Sequence, residues 1–61
     1  MESKGQKMLR IVIADDHDLF REGLKQLLES VDDLEVVGEA SDGRQAVLLV
    51  EQQRPAVVLM D

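Results

Sequence analysis

With 61 residues the chain can hold one small domain at most. A domain of that size buries only about 60% of the surface its unfolded form exposes, so its core is thin. Acidic residues outnumber basic ones 13 to 7, for a net charge of −6, which argues against direct nucleic-acid binding and against adhesion to an anionic membrane, since both need a basic face.

The chain has no cysteine and a single histidine, His17. Disulfides, thiolate metal centres and zinc sites built from several imidazoles are therefore excluded. The longest apolar runs, Ala46–Val50 and Ala56–Met60, have five residues each, against the roughly 20 that a membrane-spanning helix requires. The basic and acidic opening MESKGQK leads into no signal-type apolar stretch, and the expected location is the cytoplasm. The lack of cysteine fits such a reducing compartment.

Residues 1–8 are read as a disordered arm, polar through Met1–Lys7 with Gly5 among them, and residues 9–61 as the domain. Leu9–Ala14, LRIVIA, is apolar apart from Arg10 and rich in β-branched residues, as suits a strand covered on both faces in a parallel sheet. Asp15 and Asp16 follow it. Over Asp18–Val31 the period changes to that of a helix. Phe20, Leu24, Leu27, Leu28 and Val31 share one side, flanked by Leu19 and Gly23, and Asp18 is the expected N-cap. Asp32 and Asp33 oppose a helix dipole at that end and are read as a turn.

Leu34–Ala40, LEVVGEA, is a second strand in which Gly38 marks a bulge or a close approach. Asp42 with Gln45 resembles a capping box opening a helix over Gly43–Gln53, with Ala46, Val47, Leu49 and Val50 inward. Pro55 ends that helix. Ala56–Met60, AVVLM, is a third buried strand, and Asp61 follows it. Alternating strands and helices imply an α/β fold with a parallel sheet and right-handed crossovers. If the two crossovers take opposite faces, the strand order is 2-1-3.

In that order Asp15, Asp16 and Asp61 converge on the carboxyl edge of the sheet, where open α/β sheets bind their ligands. Two carboxylates about 4 Å apart repel by roughly 4 kcal/mol at an effective dielectric near 20, so the cluster calls for a cation or a raised pKa. Hard oxygen donors favour Mg²⁺. A carboxylate can also act as a nucleophile toward phosphorus. Taken singly, Asp15 and Asp16 serve equally well as helix-capping acids, and Asp61 as a mere terminus. Only their joint placement makes a site.

The runs I-V-I-A-D-D-H-D-L-F-R-E-G-L-K-Q-L-L-E, V-V-G-E-A-S-D-G-R-Q-A and R-P-A-V-V-L-M-D, in this order and at these separations, resemble receivers of the NarL/FixJ class of response regulators. The likeness runs from Leu9 to Asp61. It implies the first half of a flavodoxin-like (CheY-like) domain, a βαβαβ unit. It also implies that Asp15 and Asp16 hold Mg²⁺, Asp16 directly and Asp15 through water. Asp61 would be the phosphoacceptor and a further metal ligand, taking its phosphoryl group from a sensor histidine kinase. His17, Arg21 and Gly23 match the subclass without being usual site residues. His17 is read as a helix-start residue, Arg21 as a solvated helix residue, Gly23 as a packing contact, and Phe20 and Met60 as core.

A complete receiver adds a carbonyl ligand two positions after the phosphoacceptor, then a Ser/Thr and a Lys on the phosphoryl group. This subclass also carries a DNA-binding helix-turn-helix domain. As 61 residues the chain is thus expected to bind Mg²⁺ poorly, to be phosphorylated slowly or not at all, and to self-associate through the open edge of the third strand. The parent is expected to be a signalling protein, not an enzyme. The enzyme alternative is a haloacid-dehalogenase-like phosphatase, from the D-x-D spacing of Asp16-His17-Asp18. Phe20 then stands where a small residue is needed, and Asp61 has no task. No G-x-G-x-x-G or Walker pattern points to a nucleotide.

Overall fold

The computed structural model describes residues 8–60. The elements follow as β1 (Leu9–Ala14), α1 (Asp18–Glu29), β2 (Leu34–Ala40), α2 (Gly43–Gln53) and β3 (Val57–Met60). The three strands form one parallel sheet, as the alternation of periods predicts, in the order β2-β1-β3 expected of crossovers on opposite faces. The arm expected over residues 1–8 lies, Met8 apart, outside the described residues, as does Asp61.

β1 is the axis of the molecule. Ile11, Val12, Ile13 and Ala14 are all buried, because strands flank it on both sides and helices pack on both faces. Ala14, Ala40, Ala46 and Leu49 pack together beneath α2, while Ile13 faces Phe20, Leu24 and Leu59 on the α1 side. Gly38 fulfils both readings made of it. Register passes from Ile11↔Val36 to Val12↔Gly38, which leaves Val37 as the bulged residue. A Cβ on Gly38 would lie 3.0 and 3.1 Å from the methyl carbons of Leu49, so its bare backbone lets α2 approach β2.

The helix ends depart from expectation in instructive ways. The N-cap of α1 is His17, not Asp18; Asp18 is the first helical residue. At the far end α1 stops at Glu29, short of Val31. Ser30 Oγ takes up the Leu27 carbonyl at 2.6 Å, and Val31 N–H bonds Leu28 O at 3.1 Å, which tightens the last turn. α2 opens as read: Gln45 N–H donates to Asp42 Oδ1 at 2.9 Å. The reciprocal bond is shifted by one residue, since Gln45 Oε1 accepts from Ser41 N–H at 3.0 Å. α2 closes on Arg54 in the left-handed region, φ 48°. Arg10 then explains its place in an otherwise apolar strand. Its guanidinium donates to the carbonyl and to the side chain of Gln53, putting a positive charge at the negative end of α2.

Several residues assigned to the core are exposed. Phe20, Leu27 and Val31 of the α1 stripe are open, α1 buries no residue fully, and Val47 of α2 is open. β3 is not a buried strand: Leu59 is 36% and Met60 64% exposed. Among the described residues it pairs only with β1, and neither of its faces is covered fully. Gly23 makes no packing contact of the expected kind, because a Cβ there would meet nothing within 4 Å.

Candidate functional site

The carboxyl ends of β1 and β3 meet. In their parallel register Ala14 pairs with Met60, so the chain leaves both strands at the same rim. Here Ala14, Asp15, Asp16, Ser41, Asp42, Gly43 and Met60 line a cleft of about 290 Å³ between β1, β3 and the start of α2. Its position follows from topology alone: α1 and α2 diverge to opposite faces, and the crevice opens at the switch between them.

Asp15 is set deep in this rim. It is 8% exposed, and its N–H extends the sheet by bonding Ala40 O at 3.0 Å. Its carboxylate turns back on the chain. Asp15 Oδ1 accepts from His17 N–H at 2.8 Å and lies 2.7 Å from His17 Nδ1. The backbone N–H of His17, then its ring, hold the Asp15 carboxyl below the usual carboxylate range; the Arg21 charge adds to this, and burial opposes it. Asp16 is the solvent-facing partner, with a side chain 75% exposed and Oδ1 3.0 Å from His17 Nδ1. One oxygen each of Asp15 and Asp16 and one nitrogen of His17 lie within 4.8 Å of one another.

The structure thus brings Asp15 and Asp16 together as the sequence predicts, and adds two residues that sequence reasoning set aside. His17 begins α1, and its ring also bridges the two acids. Arg21, read as solvated, has a side chain only 16% exposed. Its Nη1 donates to Asp15 O at 2.5 Å and Nη2 to Asp18 Oδ1 at 2.8 Å, and Nε lies 3.4 Å from Glu39 Oε1. The spacing of Asp18 and Arg21, one helical turn apart, was the available signal for that ion pair. Asp61, the third expected member, lies outside the described residues; it follows Met60 directly in sequence.

Chemically, the pair is a hard-oxygen donor set at an open cleft. Neighbouring carboxylates beside a polar, accessible opening suit a small hard cation better than a soft one.

The family model of the response regulator receiver domain matches residues 11–61. The chain belongs to the response regulator receiver family. Such receivers are signalling modules of two-component systems, and the family generally binds Mg²⁺. The chain is 48% identical over 60 residues to the transcriptional regulatory protein DegU of Brevibacillus brevis, matching 98% of this chain and 25% of that protein. It is also 48% identical over 54 residues to a protein-glutamate methylesterase/protein-glutamine glutaminase of Syntrophomonas wolfei, matching 88% of this chain and 15% of that one. Among solved structures, the signal receiver domain of the regulator NarL from Mycobacterium tuberculosis superposes with a TM-score of 0.87 at 44% identity, over 90% of this chain and 44% of that one. The chain therefore spans about a quarter of the length of the DegU regulator. Receivers of transcriptional regulators are generally not enzymes in themselves. Membership in this family leaves the phosphatase reading without support.

Proposed function

We propose that, within its full-length protein, this receiver segment accepts a phosphoryl group on Asp61 from a sensor histidine kinase, with Asp15 and Asp16 holding Mg²⁺ beside it, and that the 61 residues alone are inactive. The observation that carries this reading is the parallel register of Ala14 with Met60, which puts the residues after β1 and the end of β3 at one rim, together with the cleft that Asp15, Asp16 and Met60 line. Asp16, open to solvent, is suited to direct coordination, and Asp15, engaged by His17, to a supporting role. When bound, the metal neutralises phosphate charge and draws phosphate oxygens to the site. The chain's own residues orient the carboxylates and keep Asp15 ionised. His17 Nδ1 bridges the acids while the cleft is open to an incoming group.

Asp61 is assigned as nucleophile and as third metal ligand on its place after β3 and on family membership. The parent protein is proposed to be a cytoplasmic transcription regulator with a DNA-binding domain, and not an enzyme, after relatives such as DegU. No helix among the described residues is long and apolar enough to cross a membrane. In the full-length protein, a small phosphodonor with Mg²⁺ is expected to give a hydroxylamine-labile label on Asp61. Asp61→Asn abolishes it, and Asp16→Asn lowers its rate by about 10-fold or more. A label that survives in Asp61→Asn overturns the assignment.

A second reading concerns partners. Among the described residues β3 has one strand neighbour, with Leu59 and Met60 exposed and apolar grooves on both sides, one with Phe20 and Leu24, the other with Val47 and Val50. We propose that the 61-residue chain pairs through this edge with a second copy of itself.

A further inference from the structure

Arg21 lies in the first turn and a half of α1, yet its guanidinium reaches out of the helix to two other segments and back one turn within it. It bonds the main-chain carbonyl of Asp15 at 2.5 Å, the carboxylate of Asp18 at 2.8 Å and, at 3.4 Å, that of Glu39 on β2. Glu39 is itself tied to Lys25 Nζ at 3.0 Å. The first of these bonds is the informative one. The Asp15 carbonyl belongs to the planar peptide that joins the two acids, so fixing that plane fixes both Cα positions and leaves only ψ of Asp15 and φ of Asp16 to set where the side chains leave the backbone. The other ties of the loop are Asp15 N–H on Ala40 O and His17 N–H on Asp15 Oδ1. They hold the loop before and after this peptide; Arg21 holds the peptide itself.

We propose that Arg21 is the positioning residue of the acidic pair: its planar fork locks the Asp15–Asp16 peptide and, with the flanking peptides held by the Asp15 and His17 N–H bonds, sets the directions of both carboxylates at the cleft. A guanidinium suits this task. Its rigid donors satisfy a carbonyl and two carboxylates at once, whereas a lysine ammonium is a point charge on a flexible stem. That the aimed pair serves Mg²⁺ rests on the function proposed above; the aiming itself does not. The competing role is simple attachment of α1 to β2 through Glu39.

The test compares Arg21→Lys, Arg21→Gln and Glu39→Gln in the full-length protein. Three quantities are measured: calorimetric affinity for Mg²⁺ alone, hydrogen exchange of the His17 amide, and the denaturant midpoint. Positioning predicts that Arg21→Lys weakens Mg²⁺ binding about 10-fold and speeds His17 exchange by a similar factor. Arg21→Gln does both more strongly. Glu39→Gln lowers the midpoint while leaving affinity and His17 exchange as in the wild type. Unchanged affinity and exchange in Arg21→Lys, or a Glu39→Gln protein that matches Arg21→Lys in both, overturns the proposal. A wild type that ignores Mg²⁺, with His17 exchange still faster in Arg21→Lys, defeats the metal reading and upholds positioning.

Discussion

Asp15 shows how one side chain is shaped by its immediate neighbours. Burial opposes ionisation of its carboxylate, yet the His17 N–H and ring hold its pKa below the ordinary value. The folded state thus binds the Asp15 proton less readily than the unfolded chain. The resulting stabilisation is fully present above the ordinary carboxylate value of about 3.9 and is lost as pH falls through the lowered native value. Asp15→Asn is therefore expected to lower the urea midpoint at neutral pH. The gap from wild type should close below about pH 4, and a gap independent of pH contradicts the assignment. The acids themselves were legible in sequence, because two aspartates at the end of an apolar run stand out. Arg21 was not. A helical-face reading sorts residues by angle around one axis, and it cannot see that Glu39 of β2 and the Asp15 carbonyl both lie within reach of that side chain.

At the scale of elements, α2 is the best-defined unit. Asp42 caps its start, Arg10 neutralises its end, and Pro55 prevents its continuation. Its one unfavourable feature is Arg54, an exposed non-glycine residue at φ 48°. Left-handed backbone costs an L-residue about 1–2 kcal/mol, and glycine escapes most of this while adding freedom to the unfolded chain. Arg54→Gly is expected to stabilise the fold by about 0.5–1 kcal/mol, read as a higher urea midpoint with unchanged slope. Loss of stability would mean that the Arg54 side chain has a task beyond the cap. α1 is less well supported. Its first turn lacks a side-chain cap bond, and the acids that suggested a cap are engaged otherwise, Asp15 with His17 and Asp18 with Arg21. The sequence revealed that a helix begins there, and its apolar period revealed which stripe faces inward. How deeply that stripe is covered depends on what lies above it, which periodicity does not encode; hence Phe20 and Leu27 read as core and are exposed.

For the whole molecule, the balance between the central and outer strands matters most. Ile11–Ala14 of β1 are buried, whereas among the described residues β3 pairs with β1 alone and has two incompletely covered faces. A charge on such an edge discourages pairing. Leu59→Lys is expected to shift the 61-residue chain toward monomer in sedimentation experiments, at a modest cost to packing against Ile13. An unchanged distribution, or a wild-type chain that is already monomeric, removes β3 as the contact.

The order of elements, the buried character of β1, the capping of α2 and the acidic pair after β1 were all determined by the sequence alone. Each depends on local period, on side-chain chemistry or on residues a few positions apart. The tertiary structure decided that Ala14 and Met60 are register partners, that Gly38 must be bare to admit Leu49, and that Arg21 reaches across to the acid loop. These relations join residues far apart along the chain or different segments of the fold. They come into being only when packing brings those surfaces within a few ångströms of each other.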